Sequence, residues 1–451
     1  MQFSTAELAD ALAGVLQGPP STVTGLAIDS RIIASGQMFA AVRGERDGHD
    51  FLRAAFENGA GAALIDKAAD SLQAGESAVL VDDVNTALAD LARLARSKTS
   101  AEVIGITGSV GKTTTKDMLA SVLGQSLRTA SSEKSFNNEL GVPLTLANAP
   151  EGTEATVVEM GARGIGHISY LCSMARPRIG VVTTVDAVHT EVMGGLEQIA
   201  IAKGELIESL PSDGLAVLNA DVALVKAMSE LTSAEVLTFG RSGDVRARGI
   251  EVDGDLMVSF VIVSPWGEVA VRLGARGAHN VSNALAAASV ALHLGLPLDE
   301  VAEGLGLPLR SPWRMDLSVN GAGASILNDC YNASPTSMDA ALRGLAGIEP
   351  RNADADREPR KLAVVGLMAE LGDSAAAEHR DIAVLSADLG IELLAVGTDL
   401  YGVESVPDIA AATQFLRDWN PGAGDAVLVK GSRVAGLEMV AQELLDWGNQ
   451  T

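Results

Sequence analysis

The segment Gly105-Ile106-Thr107-Gly108-Ser109-Val110-Gly111-Lys112-Thr113-Thr114 has the residue types that bind the phosphates of a nucleotide. Backbone N–H groups of such a loop, and of the helix that follows, point at phosphate oxygens. Lys112 would place a positive charge at the β/γ end of a triphosphate, and the hydroxyl of Thr113 or Thr114 could bind Mg²⁺. The predicted nucleotide-binding residues of this loop are Thr107, Gly108, Ser109, Val110, Gly111, Lys112, Thr113 and Thr114.

A strand and a helix must hold this loop, since the alternative is a glycine turn that only connects two elements. Gly105 lies six residues before Gly111, so Ile106 occupies the place of the first glycine in the usual phosphate-loop pattern. Apolar residues before the loop predict a buried strand, and those after it recur at helical spacing. They are Val103, Ile104 and Ile106 on the strand, and Met118, Leu119, Val122 and Leu123 on one helix face.

Two side chains follow other predicted strands, where the functional groups of a doubly wound sheet gather. Glu159 is predicted to bind Mg²⁺, because a hard cation prefers oxygen ligands; the alternative is an acid that caps the next turn. His189 by itself is more typical of a hydrogen-bonded structural histidine.

Lys203 follows His189 by fourteen residues on a predicted helix. An ammonium repels Mg²⁺, so the ordinary expectation is a surface pair with Glu205 or Glu208. As a carbamate formed with CO₂, Lys203 could instead act as a carboxylate-like metal ligand.

Polar and cationic residues later in the chain could contact the nucleotide or the substrates. Asn280 and Asn283 share one face of a predicted helix with Ala287. Their amides could read the nucleotide, although Asn near a helix start is commonly a cap. Candidate phosphate or carboxylate clamps, with surface salt bridges as the alternative, are Arg314, Lys430 and Arg433.

Composition limits the class of protein. At 451 residues the chain predicts two to four domains, and 47% hydrophobic with 20% charged residues is typical of a globular protein. A net charge of −25 without a basic run argues against duplex nucleic acid and anionic membranes as partners. Cys172 and Cys330 cannot form a disulfide framework, and no basic leader or long apolar stretch occurs. We therefore expect a cytoplasmic protein without membrane insertion.

Strand and helix patterns alternate along the chain, which predicts parallel sheets covered by helices. Turn-rich or polar segments at 96–100 and 307–313 divide the pattern into three domains, 1–98, 99–314 and 315–451. The fold class is therefore α/β, with a central P-loop parallel sheet flanked by a small N-terminal α/β domain and a C-terminal Rossmann-like α/β domain. The predicted strands are 23–28, 37–42, 62–65, 78–81, 103–107, 155–160, 179–185, 215–218, 324–327, 362–365, 391–396 and 426–429, with an exposed loop at 350–361.

The order and spacing of these residues resemble the Mur ligase family of peptidoglycan synthesis, from about Gly25 to Arg433. Segment 135–145 is similar to one shared by these ligases, and 158–161 resembles their metal-binding strand end. The Asp-Asn-Pro-Arg signature of diamino-acid-adding members is missing, as is the N-terminal dinucleotide-type glycine turn of the two earlier ligases. Segments 29–31, 39–44, 47–49, 329–335, 366–372 and 430–433 resemble the members that add D-alanyl-D-alanine.

The resemblance implies ATP-dependent addition of D-alanyl-D-alanine to UDP-N-acetylmuramoyl-tripeptide through an acyl phosphate, with Mg²⁺ and a carbamylated Lys203. It implies a UDP-sugar site in the first domain, ATP in the middle one and the dipeptide in the last. A monomer is expected, and the third residue of the tripeptide stays open between diaminopimelate and lysine. The alternatives are a diamino-acid-adding Mur ligase, a folate polyglutamylating ligase, in which the loop lies nearer the N-terminus, and an ATP-gated regulatory module.

The resemblance also implies roles for individual residues. The chain departs from the family at Thr184 and Asp186, where Asn and Gly are usual, and at Ser334, where a second Asn is common. The implied catalytic residues are Lys112, Glu159, His189 and Lys203, and the implied metal ligands are Thr113, Glu159, His189 and Lys203. The implied nucleotide-binding residues beyond the loop are Asn137, Asn138, His279, Asn280, Asn283, Arg314 and Asp329. The implied substrate-binding residues are Ser30, Arg31, Phe39, Arg43, Gly44, Asp47, His49, Tyr331, Asn332, Glu370, Lys430 and Arg433.

Overall fold

The computed structural model describes residues 1–68, 72–133, 135–187, 190–351 and 357–448. They form three α/β units in chain order, each with one principal sheet, which confirms the predicted fold class. The first unit contains strands β1 (Phe3–Ser4), β2 (Val15–Gln17), β3 (Thr22–Val23), β4 (Leu26–Ala27), β5 (Met38–Ala40), β6 (Ala62–Ile65) and β7 (Ala78–Leu80), and helices α1 (Thr5–Ala11), α2 (Leu52–Glu57) and α3 (Val84–Ser97).

The sheet of the first unit has the strand order β2-β7-β6-β5-β4, and β1 pairs with β3 beside it. β2 runs antiparallel to β7, and the other three pairs are parallel. The apolar run of β6 is buried at every position, as expected for a strand inside a sheet that is covered on both faces.

The second unit is built on a six-stranded parallel sheet with β8 near its centre. Its strands are β8 (Glu102–Thr107), β9 (Thr129–Ser131), β10 (Ala155–Glu159), β11 (Ile179–Val182), β12 (Leu215–Asn219) and β13 (Glu235–Phe239), in the order β13-β12-β11-β8-β10-β9. Its helices are α4 (Lys112–Leu123), α5 (Gly141–Asn148), α6 (His167–Ala175), α7 (Thr190–Met193), α8 (Leu196–Glu208), α9 (Ala223–Lys226), α10 (Asn280–His293) and α11 (Leu298–Leu305).

A three-stranded antiparallel sheet interrupts this parallel pattern and was not predicted. It consists of β14 (Arg246–Val252), β15 (Met257–Ser264) and β16 (Gly267–Arg276), in that order. β14 is mostly exposed, whereas β15 buries alternate residues, so one face of this sheet packs inward and the other faces solvent.

The third unit has a second six-stranded sheet in the order β17-β18-β22-β19-β20-β21. β17 is antiparallel to β18, and the remaining pairs are parallel, as in a doubly wound fold with one added edge strand. Its elements are β17 (Asp316–Val319), β18 (Ser325–Asn328), α12 (Pro335–Gly347), β19 (Lys361–Val365), α13 (Ala375–Asp388), β20 (Glu392–Val396), β21 (Ser405–Val406), α14 (Ile409–Trp419), β22 (Ala426–Lys430) and α15 (Glu438–Asp446).

The first two units share one continuous hydrophobic core. The buried side of α3 packs against α5 and α6 of the second unit. The side-chain amide of Asn148 accepts a hydrogen bond from Leu26 N at 2.8 Å and donates to Leu26 O at 2.9 Å. Arg96 donates to Ala175 O at 3.0 Å, so polar contacts reinforce the apolar ones and fix the first unit on the second.

Candidate active site

The phosphate loop joins β8 to α4 and depends on two glycines. Gly108 has φ +148° and Gly111 has φ +85°, a region that side chains disfavour. A Cβ at Gly108 would lie 1.9 Å from Thr183 Oγ1, and one at Gly111 would lie 2.3 Å from Asn283 Oδ1. The side chains of Thr183 and Asn283 therefore leave no room for a side chain at either position.

The end of β11 holds the loop in place. Ser109 N donates to Thr184 O at 2.9 Å, and Val110 N donates to Thr184 Oγ1 at 3.2 Å. Asp186 N donates to Ser109 Oγ at 2.9 Å. Thr184 thus fastens the loop through its carbonyl and its hydroxyl, whereas Asp186 does so through its backbone alone.

Lys112 lies folded over the loop. Its Nζ donates to Gly108 O at 2.6 Å and to Ser109 O at 3.1 Å, which places the ammonium beside the backbone that would surround phosphate. Thr113 and Thr114 are buried in the first turn of α4. The helix is buried on all sides, rather than on the one face predicted, because α10 and α11 cover it.

Glu159 ends β10 beside the loop. Its side chain is 1% exposed, and its Oε1 accepts a hydrogen bond from Asn137 Nδ2 at 2.9 Å. Among the described residues, Oε2 of Glu159 and the hydroxyl of Thr107 are buried without a hydrogen-bond partner. A buried, unpaired carboxylate oxygen suits a hard cation that keeps several waters, so these residues fit Mg²⁺.

Asn138 has a different role from its neighbour Asn137. Its Oδ1 accepts hydrogen bonds from Gly141 N at 3.0 Å and Leu140 N at 3.3 Å, at the start of α5. The structure therefore places this predicted nucleotide-binding residue as a helix cap.

Lys203 lies on α8 with 4% exposure, so the alternative of a surface salt bridge is wrong. Burial lowers its pKa to about 7, the charge of Lys112 acts in the same direction, and Asp186 opposes both. Glu205 instead accepts hydrogen bonds from Ser169 N, at 2.8 Å, and from Gly166 N. The predicted partner of Lys203 at the metal site, His189, lies outside the described residues.

The amides at the start of α10 do share one face, as predicted. Asn283 Nδ2 donates to Asn280 Oδ1 at 2.8 Å, and Thr115 Oγ1 of α4 donates to Asn283 Oδ1 at 3.3 Å. Asn280 Nδ2 donates to Arg276 O at 2.6 Å. These contacts join α10 to the phosphate-loop helix, while His279, at the N-cap, is exposed.

Arg314 lies at the junction between the second and third units; burial lowers the pKa of Lys112, and the charge of Arg314 acts in the same direction. Its guanidinium carbon lies 4.2 Å from the centre of the Tyr331 ring, and its Nε is buried without a partner among the described residues. Burial raises the pKa of Tyr331, while the charge of Arg314 opposes that shift. An arginine with an unpaired N–H, within electrostatic range of Lys112, can bind a phosphate oxygen.

The predicted dipeptide residues of the third unit are only partly available. Lys430 is 2% exposed, and its Nζ donates to Asp329 Oδ2 at 2.6 Å and Asn332 O at 2.9 Å. Arg433 lies over the Trp313 ring at 4.7 Å and pairs with Glu438 at 3.0 Å.

Ser334 is the N-cap of α12 in a capping box with Ser337. Glu370 has φ +63°, and its carbonyl accepts a hydrogen bond from Glu191 N at 3.4 Å.

In the first unit, three of the predicted UDP-sugar residues lie together. His49 Nδ1 lies 2.7 Å from Asp47 Oδ1, Asp47 also pairs with Lys67, and Arg43 pairs with Asp66 at 2.5 Å. The contact with Lys67 contributes most to lowering the pKa of Asp47 well below its usual range, and His49 adds to this shift.

The other predicted UDP-sugar residues of this unit lie outside that cluster. Arg31 is exposed and pairs with Asp29 at 2.6 Å, and Ser30 is buried. Gly44 has open space around it among the described residues. Phe39 is 1% exposed and packs in the core, so its ring is not available to a ligand in this arrangement.

Comparison with known proteins agrees with this geometry. Family models match along the chain: "Mur ligase family, catalytic domain" at residues 22–96, "Mur ligase middle domain" at 106–291, and "Mur ligase, glutamate ligase domain" at 313–433. The chain is 36% identical to the UDP-N-acetylmuramoyl-tripeptide--D-alanyl-D-alanine ligase of Mycobacterium tuberculosis, with 99% of this chain and 98% of the relative covered. It is 33% identical to the enzyme of that name from Bacillus subtilis, with 97% of each covered. The chain belongs to the Mur ligase family.

Solved structures of Mur ligases extend the similarity to the whole fold. A crystal structure of MurF from Acinetobacter baumannii has a TM-score of 0.87 at 30% identity and covers 99% of both chains. MurF ligase from Thermotoga maritima in complex with ADP has a TM-score of 0.78 at 27% identity, covering 94% of this chain and 98% of that one. Within the described part of this Mur ligase, no helix is long and apolar enough to cross a bilayer.

Sequence reasoning missed two side chains of the first-unit cluster in this Mur ligase, Asp66 and Lys67. Both follow β6 directly, at the carboxyl end of a parallel strand. The rule that identified Glu159 after its strand would have identified this pair as well.

Proposed function

We propose that the chain is an ATP-dependent ligase that joins D-alanyl-D-alanine to UDP-N-acetylmuramoyl-tripeptide in peptidoglycan precursor synthesis. The observation that carries the proposal is Lys112 folded over a glycine loop, within electrostatic range of Glu159 and Arg314, each of which has a buried polar atom without a partner among the described residues. Full-length similarity to ligases of that name supports the choice of substrates.

The chemistry explains why such a site needs ATP. A carboxylate is a poor electrophile, because an amine attacking it would have to expel oxide. Transfer of the γ-phosphoryl group to the tripeptide carboxylate forms an acyl phosphate; the amine of the dipeptide then attacks, and inorganic phosphate leaves. In this proposal, Lys112 and Arg314 offset the charge of the transferring group. Holding the acyl phosphate and the amine together can lower the barrier by about 7–11 kcal/mol.

A metal ion would be held by Thr113 and Glu159, with His189 and Lys203 as the further proposed ligands. When bound, Mg²⁺ neutralises phosphate charge. A pKa of about 7 leaves much of Lys203 as the neutral amine near neutral pH, and this is the form that adds CO₂ to give a carbamate. Carbamylation would add the mass of CO₂ to Lys203 in bicarbonate.

Each unit is assigned one substrate. We assign the UDP-sugar to residues 1–98, where Arg43, Asp47 and His49 lie together. ATP is assigned to 99–314, and the dipeptide to 315–451. The remaining nucleotide-binding and substrate-binding residues are proposed as the family resemblance implied them. Asn138 and Phe39 are the exceptions, since they support the local fold and do not contact a ligand in this proposal.

A phosphate-release assay tests the function. The complete reaction contains UDP-N-acetylmuramoyl-tripeptide, ATP, Mg²⁺ and D-alanyl-D-alanine. A parallel reaction offers diaminopimelate or lysine as the amine with UDP-N-acetylmuramoyl-L-alanyl-D-glutamate, which lacks the third residue. We expect phosphate release that requires the dipeptide. Release with a diamino acid instead would identify a different Mur ligase activity, and release without any amine would identify an ATP-driven switch.

A further inference from the structure

The turn between β14 and β15, residues 253–256, inserts a side chain into the third unit. Leu256 is 2% exposed and belongs to the hydrophobic core formed by Met315, Leu345 and other residues of that unit. Its φ is +63°, a conformation that a leucine adopts only when surrounding contacts impose it. The antiparallel sheet thus joins two units at a strained apolar residue.

The third unit provides a matching recess. A Cβ at Gly344 would lie 3.5 Å from Leu256 Cδ1 and 2.7 Å from Met315 Cε, and one at Gly347 would lie 3.6 Å from Leu256 Cδ2. Polar contacts surround the insertion: Glu349 N donates to Gly254 O at 3.3 Å, and Arg351 pairs with Asp255. The small residues of α12 therefore admit the leucine, and the rim is closed by hydrogen bonds.

The backbone of Leu256 is also hydrogen-bonded to the part of the second unit that supports the phosphate loop. Gly277 N donates to Leu256 O at 2.8 Å, and Gly277 lies just before α10. α10 carries Asn283, whose Oδ1 borders Gly111 of the phosphate loop. Leu256 is therefore in contact with the third-unit core on one side and with the support of the loop on the other.

Hydrogen bonds also hold the backbone junction between the second and third units, at residues 311–313. Asp117 of α4 accepts a hydrogen bond from Ser311 N at 2.9 Å, while Tyr331 N donates to Trp313 O at 3.4 Å. Pro312, which is exposed, is thus the residue between the anchors of the two units. A single backbone junction leaves rotation open, so contacts away from it set the orientation; the hydrogen bond from Glu191 N to Glu370 O is one of them, and Leu256 supplies a buried apolar one.

We propose that Leu256 is a positioning residue that sets the orientation of the third unit, so that Arg314 and Tyr331 face the phosphate loop. The inference rests on the proposed ligase function for its kinetic consequence alone. Without the leucine, the third unit samples further orientations, and the acyl phosphate and the amine meet less often in reactive geometry.

The test compares Leu256→Gly, which removes the side chain and relieves the backbone, with Ile250→Gly on the exposed face of the same sheet. Spin labels at Glu303→Cys and Val384→Cys, both exposed, report the distance between the second and third units. The two native cysteines are buried. We expect a broader distance distribution for Leu256→Gly, an unchanged one for Ile250→Gly, and recovery in Leu256→Met.

Kinetics provide the second measurement. In Leu256→Gly we expect kcat/KM for the dipeptide to fall by about tenfold or more, while KM for ATP stays within about twofold. A narrow, unchanged distance distribution in Leu256→Gly would overturn the inference. If the wild-type protein showed no dipeptide-dependent phosphate release, the proposed function would fail, while the distance measurement would still decide the role of Leu256.

Discussion

Asn137 donates a 2.9 Å hydrogen bond to one carboxylate oxygen of Glu159 and leaves the other oxygen without a partner among the described residues. The amide fixes the carboxylate without neutralising it, so the free oxygen stays available to a cation. Burial of a carboxylate with one oxygen unpaired is unfavourable unless a ligand compensates for it.

We therefore expect Glu159→Gln to raise the Mg²⁺ concentration needed for half-maximal phosphate release by about tenfold or more, because an amide is a weaker ligand than a carboxylate. A Mg²⁺ titration of turnover measures the change. Glu154→Gln, at an exposed glutamate five residues earlier, is the control. Superimposable titrations of Glu159→Gln and the wild type would rule out Glu159 as a ligand.

Lys112→Ala should reduce ATP-dependent phosphate release by about a hundredfold or more, since the ammonium beside the loop offsets phosphate charge in the transition state. The assay uses both substrates at saturating concentration. Lys226→Ala, at an exposed lysine on α9, should retain wild-type turnover. Near-normal turnover of Lys112→Ala would remove this residue from the mechanism.

Gly108→Ala should weaken ATP binding by about tenfold or more, because the added methyl group must displace Thr183 and the backbone is strained at this φ. Calorimetric titration with a non-hydrolysable ATP analogue measures the affinity. Gly249→Ala is a matched control, since it also has a positive φ, of +61°, but has open space among the described residues. Equal affinities for the two variants would contradict the close packing.

Lys203 should make stability depend on pH in a defined direction. Its pKa falls from the ordinary 10.5 to about 7 in the folded protein, so between these values the unfolded chain binds a proton that the folded chain lacks. Folding is therefore penalised as the pH falls, and the free energy of unfolding rises with pH by at most about 1.4 kcal/mol per unit.

Urea unfolding of the wild type and Lys203→Met, in buffer free of metal and CO₂, measures this effect. From about pH 7.5 to 9, the free energy of unfolding of the wild type should gain up to about 2 kcal/mol relative to the variant. Parallel pH profiles for the two proteins would show that Lys203 keeps its ordinary pKa.

Sequence patterns predicted the inner strands of the parallel sheets, because buried parallel strands are short apolar runs between turns, but they missed the edge strands β9, β13 and β21, which are partly exposed. The strand at 62–65 has the bounds of β6, and the loop before Lys112 lies between β8 and α4. In the antiparallel sheet, β14 escaped because Arg246–Val252 is mostly exposed, whereas β15 and β16 bury alternate residues and were missed although they carry that pattern.

The site was predicted less completely, because residue type does not determine which partner a side chain finds. Asn137 and Asn138 are adjacent amides, yet one contacts Glu159 and the other caps α5. Phe39, which the family resemblance assigned to the UDP-sugar, is buried in the core, and Lys203 is buried as well, although lysine is ordinarily exposed. Leu256 carries no local signal, since its role depends on glycines about ninety residues later along the chain.

The double hydrogen bond between Asn148 and Leu26, within the core that the first two units share, has a consequence for inhibitor design. The proposed nucleotide-sugar and ATP regions lie on two units that share one hydrophobic core. A bivalent compound that spans these two proposed regions would therefore bind across one shared core, and its affinity would not depend on the orientation of the third unit.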